Sequence, residues 1–256
     1  MIEIKNLSKQ FGSTEALKDV SFAFDGKVLG VCGTGKTVLL NIICGVVPST
    51  EGEVLFSSES EAEATSLTKN DIGYLLEDSP TPSEMTPVEF LTFIGKAKNV
   101  SKSKLSKQIN TVLDIAKLSE VKGVYVEHLS VFERKLLGVA ETLLGNPSLI
   151  VLDDPFSALT KQERRSMRQL IKTIGEIKPV IVSAKNISEL FDVCEKIVLL
   201  SDGELLAYGT PNEVISVFAN NETDDAEDAV SLEEAEYNNE EIIEEIEETD
   251  EEGDEE

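Results

Sequence analysis

Apolar and polar positions alternate at the start of the chain, where Ile2 and Ile4 stand between charged or polar neighbours. Val20–Phe24 and Gly52–Phe56 also read as strands. Period two marks strands with one buried face, so this part predicts an antiparallel sheet. Short, nearly continuous apolar runs follow at Val28–Val31, Gly73–Leu76, Leu149–Asp153, Pro179–Ser183 and Lys196–Ser201, with helical stretches between them. Such runs are strands covered on both faces, and their alternation with helices predicts an α/β fold around a mostly parallel sheet.

Between residues 78 and 146 the period is helical almost throughout. Pro87 stands at a helix start before Phe90, Leu91 and Ile94; Leu105, Ile109, Val112, Leu113 and Ile115 form a second stripe. This predicts an α-helical subdomain inserted between core strands. Ser57–Asn70 is polar and patternless, and reads as a loop. No 20–50-residue unit repeats, which excludes solenoids and propellers. The boundaries are thus one domain over 1–220 and a tail over 221–256.

The charge supports that division. The chain of 256 residues carries −26, but 20 of its 49 acids lie in residues 222–256, which hold no Lys or Arg. The remainder sets 29 acids against 23 bases, a mildly acidic body. Glu- and Asp-rich sequence cannot bury enough apolar surface to offset its ordering entropy, so the tail is expected to be disordered. Ile242, Ile243 and Ile246 could line a short helix, and a docking segment for a basic partner is the alternative. An acidic body argues against a nucleic-acid-holding protein, since phosphate binding needs clustered cations. Three scattered cysteines without C-x-x-C spacing fit a reducing, cytosolic compartment. No apolar run approaches the roughly 18 residues that cross a bilayer.

Gly30-Val31-Cys32-Gly33-Thr34-Gly35-Lys36-Thr37 fits G-x-x-x-x-G-K-[ST], after an expected strand and before an apolar helix over Val38–Val46. Glycines let backbone N–H groups curl around phosphates. Lys36 then neutralises the β- and γ-phosphates, and Thr37 ligates Mg²⁺. Far downstream, the apolar run from Leu149 ends in Asp153 and Asp154, carboxylates suited to holding Mg²⁺ beside a nucleoside triphosphate. Together these predict a P-loop NTPase core binding ATP and Mg²⁺. No N-K-x-D base-reading motif supports a GTPase.

With these pieces in order, the chain from about Ile2 to Phe218 resembles the nucleotide-binding subunit of an ATP-binding cassette (ABC) transporter. Ser8-Lys9-Gln10-Phe11-Gly12 is similar to the segment whose aromatic residue stacks on adenine, and Ile72–Asp78 is similar to the Q-loop. Leu129-Ser130 and Ala140-x-x-Leu143-Leu144-x-x-Pro147 frame the signature helix; Ser157-Ala158-Leu159 resembles the D-loop start. Gly203-Glu204 through Gly209-Thr210-Pro211 are similar to the family's closing strands. Gly73-Tyr74-Leu75 and Thr86–Leu91 most resemble exporter-type ATPases. The resemblance implies adenine stacking by Phe11, for which a core role at a strand end is the alternative. It also implies that Glu77, at the Q-loop position, senses the nucleotide and its metal and meets the membrane partner; a solvated surface acid is the other reading. The implied partners are a membrane permease and a second cassette, identical or not, at the inner face of the membrane.

Four departures fall on the hydrolytic side. Asp154 stands where the family has Glu, one methylene longer, and Lys185 where it has the switch His. Leu-Ser-Gly-Gly-Gln has become Leu129-Ser130-Val131-Phe132-Glu133, in which Phe132 obstructs close backbone approach and Glu133 adds negative charge. Ser130 with Glu133 also reads as a capping box, and so does Thr160 with Glu163 where the D-loop acid is missing. Val38 replaces a hydroxyl residue, removing an α-phosphate contact. Cys32 reads either as a thiol activated near a helix N-terminus or as a buried inert one. The only histidine, His128, reads as a surface residue. The expected function is an ATP-binding subunit coupling Mg²⁺-ATP binding and slow hydrolysis to a permease; a regulatory or scaffold protein without useful turnover is the alternative. The soluble relatives of translation and DNA repair need two cassettes or long coiled coils, and this chain has neither.

Overall fold

The computed structural model describes residues 1–57, 71–77 and 82–221, with side chains through residue 217. Most of the polar stretch Ser57–Asn70, Asp78 and the acidic tail therefore lie outside the described residues. Contacts divide the chain into a unit over Met1–Val214 and a second over Ile215–Glu256. The first unit carries both sheets and the site described below.

Strands β1 (Ile2–Phe11), β2 (Thr14–Phe24) and β4 (Glu51–Phe56) form an antiparallel sheet in the order β2-β1-β4. Its buried face presents Ile2, Ile4, Leu7, Leu17, Val20, Phe22 and Phe24. β2 begins earlier than the run at Val20 suggests. Register shifts interrupt its pairing with β1, and Asn6 and Asp19 both take positive φ there, joined by a 2.8 Å side-chain hydrogen bond. That irregularity hides the alternation over Thr14–Asp19.

The second sheet has the order β5-β6-β7-β3-β8-β9. It comprises β5 (Ile72–Leu75), β6 (Leu149–Leu152), β7 (Val180–Ser183), β3 (Val28–Gly33), β8 (Lys196–Ser201) and β9 (Glu204–Gly209). All neighbours are parallel except β9 on β8. Every residue of β6 and β7 is buried, which is why both read as unbroken apolar runs. The core continues from the antiparallel sheet through Leu39, Leu40, Ile42 and Ile43 of α1 (Lys36–Ile43) to β3, β6 and β8. After β3 the chain builds one side of the sheet and then crosses to β8 on the other. The C-terminal end of β3 is therefore the switch point where ligands bind in open α/β sheets.

The expected helical insertion comprises α2 (Pro87–Ala97), α3 (Lys102–Ile115) and α4 (Val131–Leu143). Thr86 and Glu89 cap α2 reciprocally, with Pro87 in the first turn. Phe90, Leu91, Leu105, Ile109, Val112 and Leu113 are buried as their spacing requires. Ile94 and Ile115 are half-buried, and at the neighbouring Gly95 an added Cβ would meet Leu105 at 2.3 Å. Among the described residues the other α-helices are α5 (Lys161–Gly175) and α6 (Pro211–Asn221). Among the described residues, no helix is long and apolar enough to cross a membrane.

Candidate functional site

The turn from β3 into α1 depends on two glycines. Gly33 has φ 93°, and an added Cβ would lie 1.8 Å from the Leu200 carbonyl oxygen. Gly35, at φ 103°, is the N-cap of α1 and has no side-chain cap. The helix thus begins at Lys36 rather than Val38, and it stops at Ile43, with Gly45 at φ 65° beyond it. No acid occupies its first turn, so its N-terminal N–H groups face outward without a competing carboxylate. Lys36 and Thr37 are half-buried in that turn, and Thr34 is exposed. Val38 packs on the core. Cys32 is buried, and burial pushes its thiol up to about 11 against the smaller opposing effects of the Gly33 backbone and Lys36. Its Sγ donates weakly to the Lys185 carbonyl at 3.8 Å. Burial and the raised pKa fit a packing thiol rather than an activated one.

β6 and β7 deliver the next groups to the same edge. Asp153 follows β6, fully buried, and its N–H donates to the Leu75 carbonyl at 2.9 Å. The Ser183 hydroxyl donates to Asp153 Oδ1 at 2.5 Å and accepts the Asp154 N–H at 3.0 Å. One hydroxyl at the end of β7 thereby orients both acids. Asp154 takes φ 46°, a left-handed conformation that costs a non-glycine residue about 1 kcal/mol. Its Oδ2 is buried and has no well-aligned hydrogen bond.

Lys185 closes the arrangement. Ala184 N–H donates to the Val31 carbonyl at 3.2 Å, seating the segment beside the phosphate loop. Lys185 Nζ lies 2.7 Å from Glu77 Oε1 and 3.3 Å from Asp154 Oδ2. The contact with Glu77, followed by that with Asp154, raises the Lys185 pKa. Lys185 in turn lowers that of Glu77, against partial desolvation. The structure thus brings together Glu77, Asp154 and Lys185, all three expected at the site.

Ser130 and Glu133 are occupied with each other. Ser130 Oγ accepts the Glu133 N–H at 3.1 Å, and Glu133 Oε2 accepts the Ser130 N–H at 2.7 Å. The second capping box, Thr160 with Glu163, is formed as well. Val131 is exposed and Phe132 half-buried at the helix start. Phe11 is 49% exposed at the end of β1, with Lys9 Nζ 4.8 Å from its ring centroid, so it is not a core residue. His128 is exposed, in a short 3₁₀ turn before α4.

Two residues in this arrangement escape sequence reading. Ser183 ends an apolar strand as Asp153 does, which is a weak but readable sign. Lys135 stands beside Arg134, the only other Lys or Arg between Lys122 and Lys161, and carries no signal of its own. Its ammonium nevertheless donates to Ser157 Oγ at 3.0 Å and to the Glu77 and Asp154 carbonyls at 3.4 Å each.

The donor set suits a hard cation. Thr37 offers a hydroxyl and Asp153 a carboxylate held in place by Ser183. Among the described residues no cluster of three or more His, Cys, Asp or Glu could hold a metal unaided. That combination matches Mg²⁺, which is ordinarily bound by one or two protein groups together with substrate phosphates.

Residues 18–157 match the family model described as ABC transporter. The sulfate/thiosulfate import ATP-binding protein CysA of Pectobacterium atrosepticum is 30% identical over 224 residues, covering 83% of this chain and 67% of its own. The uncharacterised ABC transporter ATP-binding protein YxlF of Bacillus subtilis is also 30% identical, covering 84% of this chain and 72% of its own. Other sulfate/thiosulfate relatives are longer, and the chain spans 62–63% of them. The dimeric ATP-binding cassette MJ0796, bound to ADP and Pi, superposes with a TM-score of 0.70 at 25% identity, over 82% of this chain and 99% of that one. The chain belongs to the ABC transporter family, as one of its ATP-binding proteins. Nothing in these relatives supports the regulatory or scaffold alternative. CysA is an import protein by name, so the exporter-like run Thr86–Leu91 sets no transport direction.

Proposed function

We propose that the chain binds Mg²⁺-ATP on Gly30–Thr37 and works with a second cassette to drive a membrane permease, from the inner face of the membrane, with slow hydrolysis. The observation that carries this reading is the convergence of four segments on one sheet edge: the glycine loop after β3, Asp153 and Asp154 after β6, Lys185 after β7, and Glu77 after β5. Lys36 and the N-terminus of α1 bind the phosphates, and Phe11 offers its exposed ring to the adenine. Thr37 and Asp153 would hold the Mg²⁺, which neutralises phosphate charge when bound. Glu77 would join them only after releasing Lys185.

Asp154 is the carboxylate that orients water, and Lys185 donates to the γ-phosphate as a point charge. Both are present but imperfect. Asp154 is a methylene short, and about 1 Å of misplacement costs on the order of 10²-fold in rate. Ser130 would meet the nucleotide of the opposing cassette, where Val131 and Phe132 hold the backbone away and Glu133 occupies the Ser130 N–H. Lys36→Ala tests the site: ATP affinity measured by calorimetry should fall below detection, and unchanged affinity would refute the assignment.

A further inference from the structure

Asp154 carries the strain of this site, and the groups that maintain it come from two directions. Its N–H is held by Ser183 at 3.0 Å. Its carbonyl faces Lys135 Nζ at 3.4 Å, with the Ser157 hydroxyl also at 3.4 Å. An ammonium has three donors, and Lys135 directs them at three acceptors on two stretches: the Glu77 carbonyl after β5, and the Asp154 carbonyl and Ser157 Oγ after β6. Lys135 is half-buried on α4, whose next turns are packed into the core through Leu136, Leu137, Val139 and Ala140. Its backbone is therefore a fixed post rather than a mobile arm.

We infer that Lys135 is a positioning residue for hydrolysis, clasping the main chain at Glu77 and Asp154 so that the left-handed turn at Asp154 keeps its carboxylate aimed beside Lys185. The inference rests on the reading of Asp154 as the water-orienting group. It has a mechanical corollary. Because α4 starts at Ser130 and reaches Lys135 within two turns, a displacement of that helix end is transmitted directly to the hydrolytic turn of the same chain. Without the clasp, the Asp154 carbonyl loses a charged donor and the turn can relax from φ 46°, swinging the side chain away.

The test compares full-length wild type with Lys135→Met, which keeps the length of the side chain without donors, Lys135→Gln, which keeps two N–H donors, and Asp154→Asn. Single-turnover hydrolysis of Mg²⁺-ATP, ATP affinity and melting temperature are measured for each. Lys135→Met should slow hydrolysis about 10- to 100-fold, with ATP affinity within about threefold and Tm within about 3 °C of wild type. Lys135→Gln should recover most of the rate. An unchanged rate in Lys135→Met, equal losses in both Lys135 variants, or a loss of rate that tracks affinity and Tm would overturn the clasp. Wild-type rate in Asp154→Asn would instead overturn the reading of Asp154. Where turnover is too slow to score, the crystal structure of Lys135→Met decides. Asp154 leaving the left-handed region supports the clasp, and Asp154 unmoved refutes it.

Discussion

Lys185 Nζ lies 2.7 Å from Glu77 Oε1, so the side chains that the resemblance sets at the switch and Q-loop positions form one ion pair. In the sequence the two residues stand more than a hundred positions apart, and only Lys185 reads as a departure. Glu77 and Asp154 hold the Lys185 ammonium between them.

That pair should contribute little to folding and much to ligand response. The Lys185 side chain is 64% exposed and that of Glu77 35%, and exposed pairs are worth under about 1 kcal/mol. A double-mutant cycle of Glu77→Gln and Lys185→Met, followed by urea unfolding, should give a coupling of about 0.5 kcal/mol at pH 7 that shrinks in 1 M salt. Glu77 is lowered in the fold, so its contribution is present above its ordinary value of 4.5 and disappears as pH falls through the lower folded value. Lys185 is raised, so its contribution is present below 10.5 and disappears as pH rises through the higher folded value. The coupling should persist between those limits and vanish in strong acid. Coupling unchanged at about pH 2 would contradict the pairing.

Ser183→Ala removes the hydroxyl that serves both acids, leaving the buried Asp154 N–H without its partner. The expected cost is about 2 kcal/mol in unfolding free energy. Asp153 also loses its fixed orientation, so the Mg²⁺ concentration needed for ATP binding should rise. Stability loss without any change in Mg²⁺ dependence would separate Ser183 from the metal site.

Phe11→Ala should leave the melting temperature within about 2 °C, because nearly half of the ring surface is already exposed. Base stacking on an aromatic ring is worth about 1–3 kcal/mol, so ATP affinity should fall roughly 5- to 100-fold. A ribose-triphosphate lacking the base should bind both proteins equally. Equal ATP affinity in the two proteins would return Phe11 to a surface role.

The parallel strands and the phosphate loop were legible because their signals are local: β6 and β7 are buried on both faces, and Gly33 and Gly35 both take a positive φ that glycine adopts without strain. Asp153 and Asp154 were legible as carboxylates that end an apolar run, and Lys185 through the resemblance, which sets a switch residue after Val182-Ser183-Ala184. The Glu77–Lys185 contact was not, since it requires β5 and β7 to flank β6 in one sheet, a long-range pairing. Lys135 was hidden for a related reason: its acceptors include two main-chain carbonyls, and a backbone acceptor leaves no mark in side-chain chemistry. The beginning of β2 was missed because the irregular pairing around Asn6 and Asp19 breaks the period.

The central claim is that ATP binding is intact while hydrolysis is weakened on both halves of a shared site, and steady-state ATPase rate in repaired proteins tests it most directly. One variant carries Asp154→Glu with Lys185→His, a second carries Val131→Gly with Phe132→Gly, and a third carries all four. If each nucleotide is cleaved between the catalytic edge of one cassette and the α4 start of another, neither repair suffices alone. The combined variant should then gain more than the product of the two separate gains. Turnover in the unmodified protein equal to that of an intact cassette, or no gain after all four substitutions in a folded protein that binds ATP, would contradict the account.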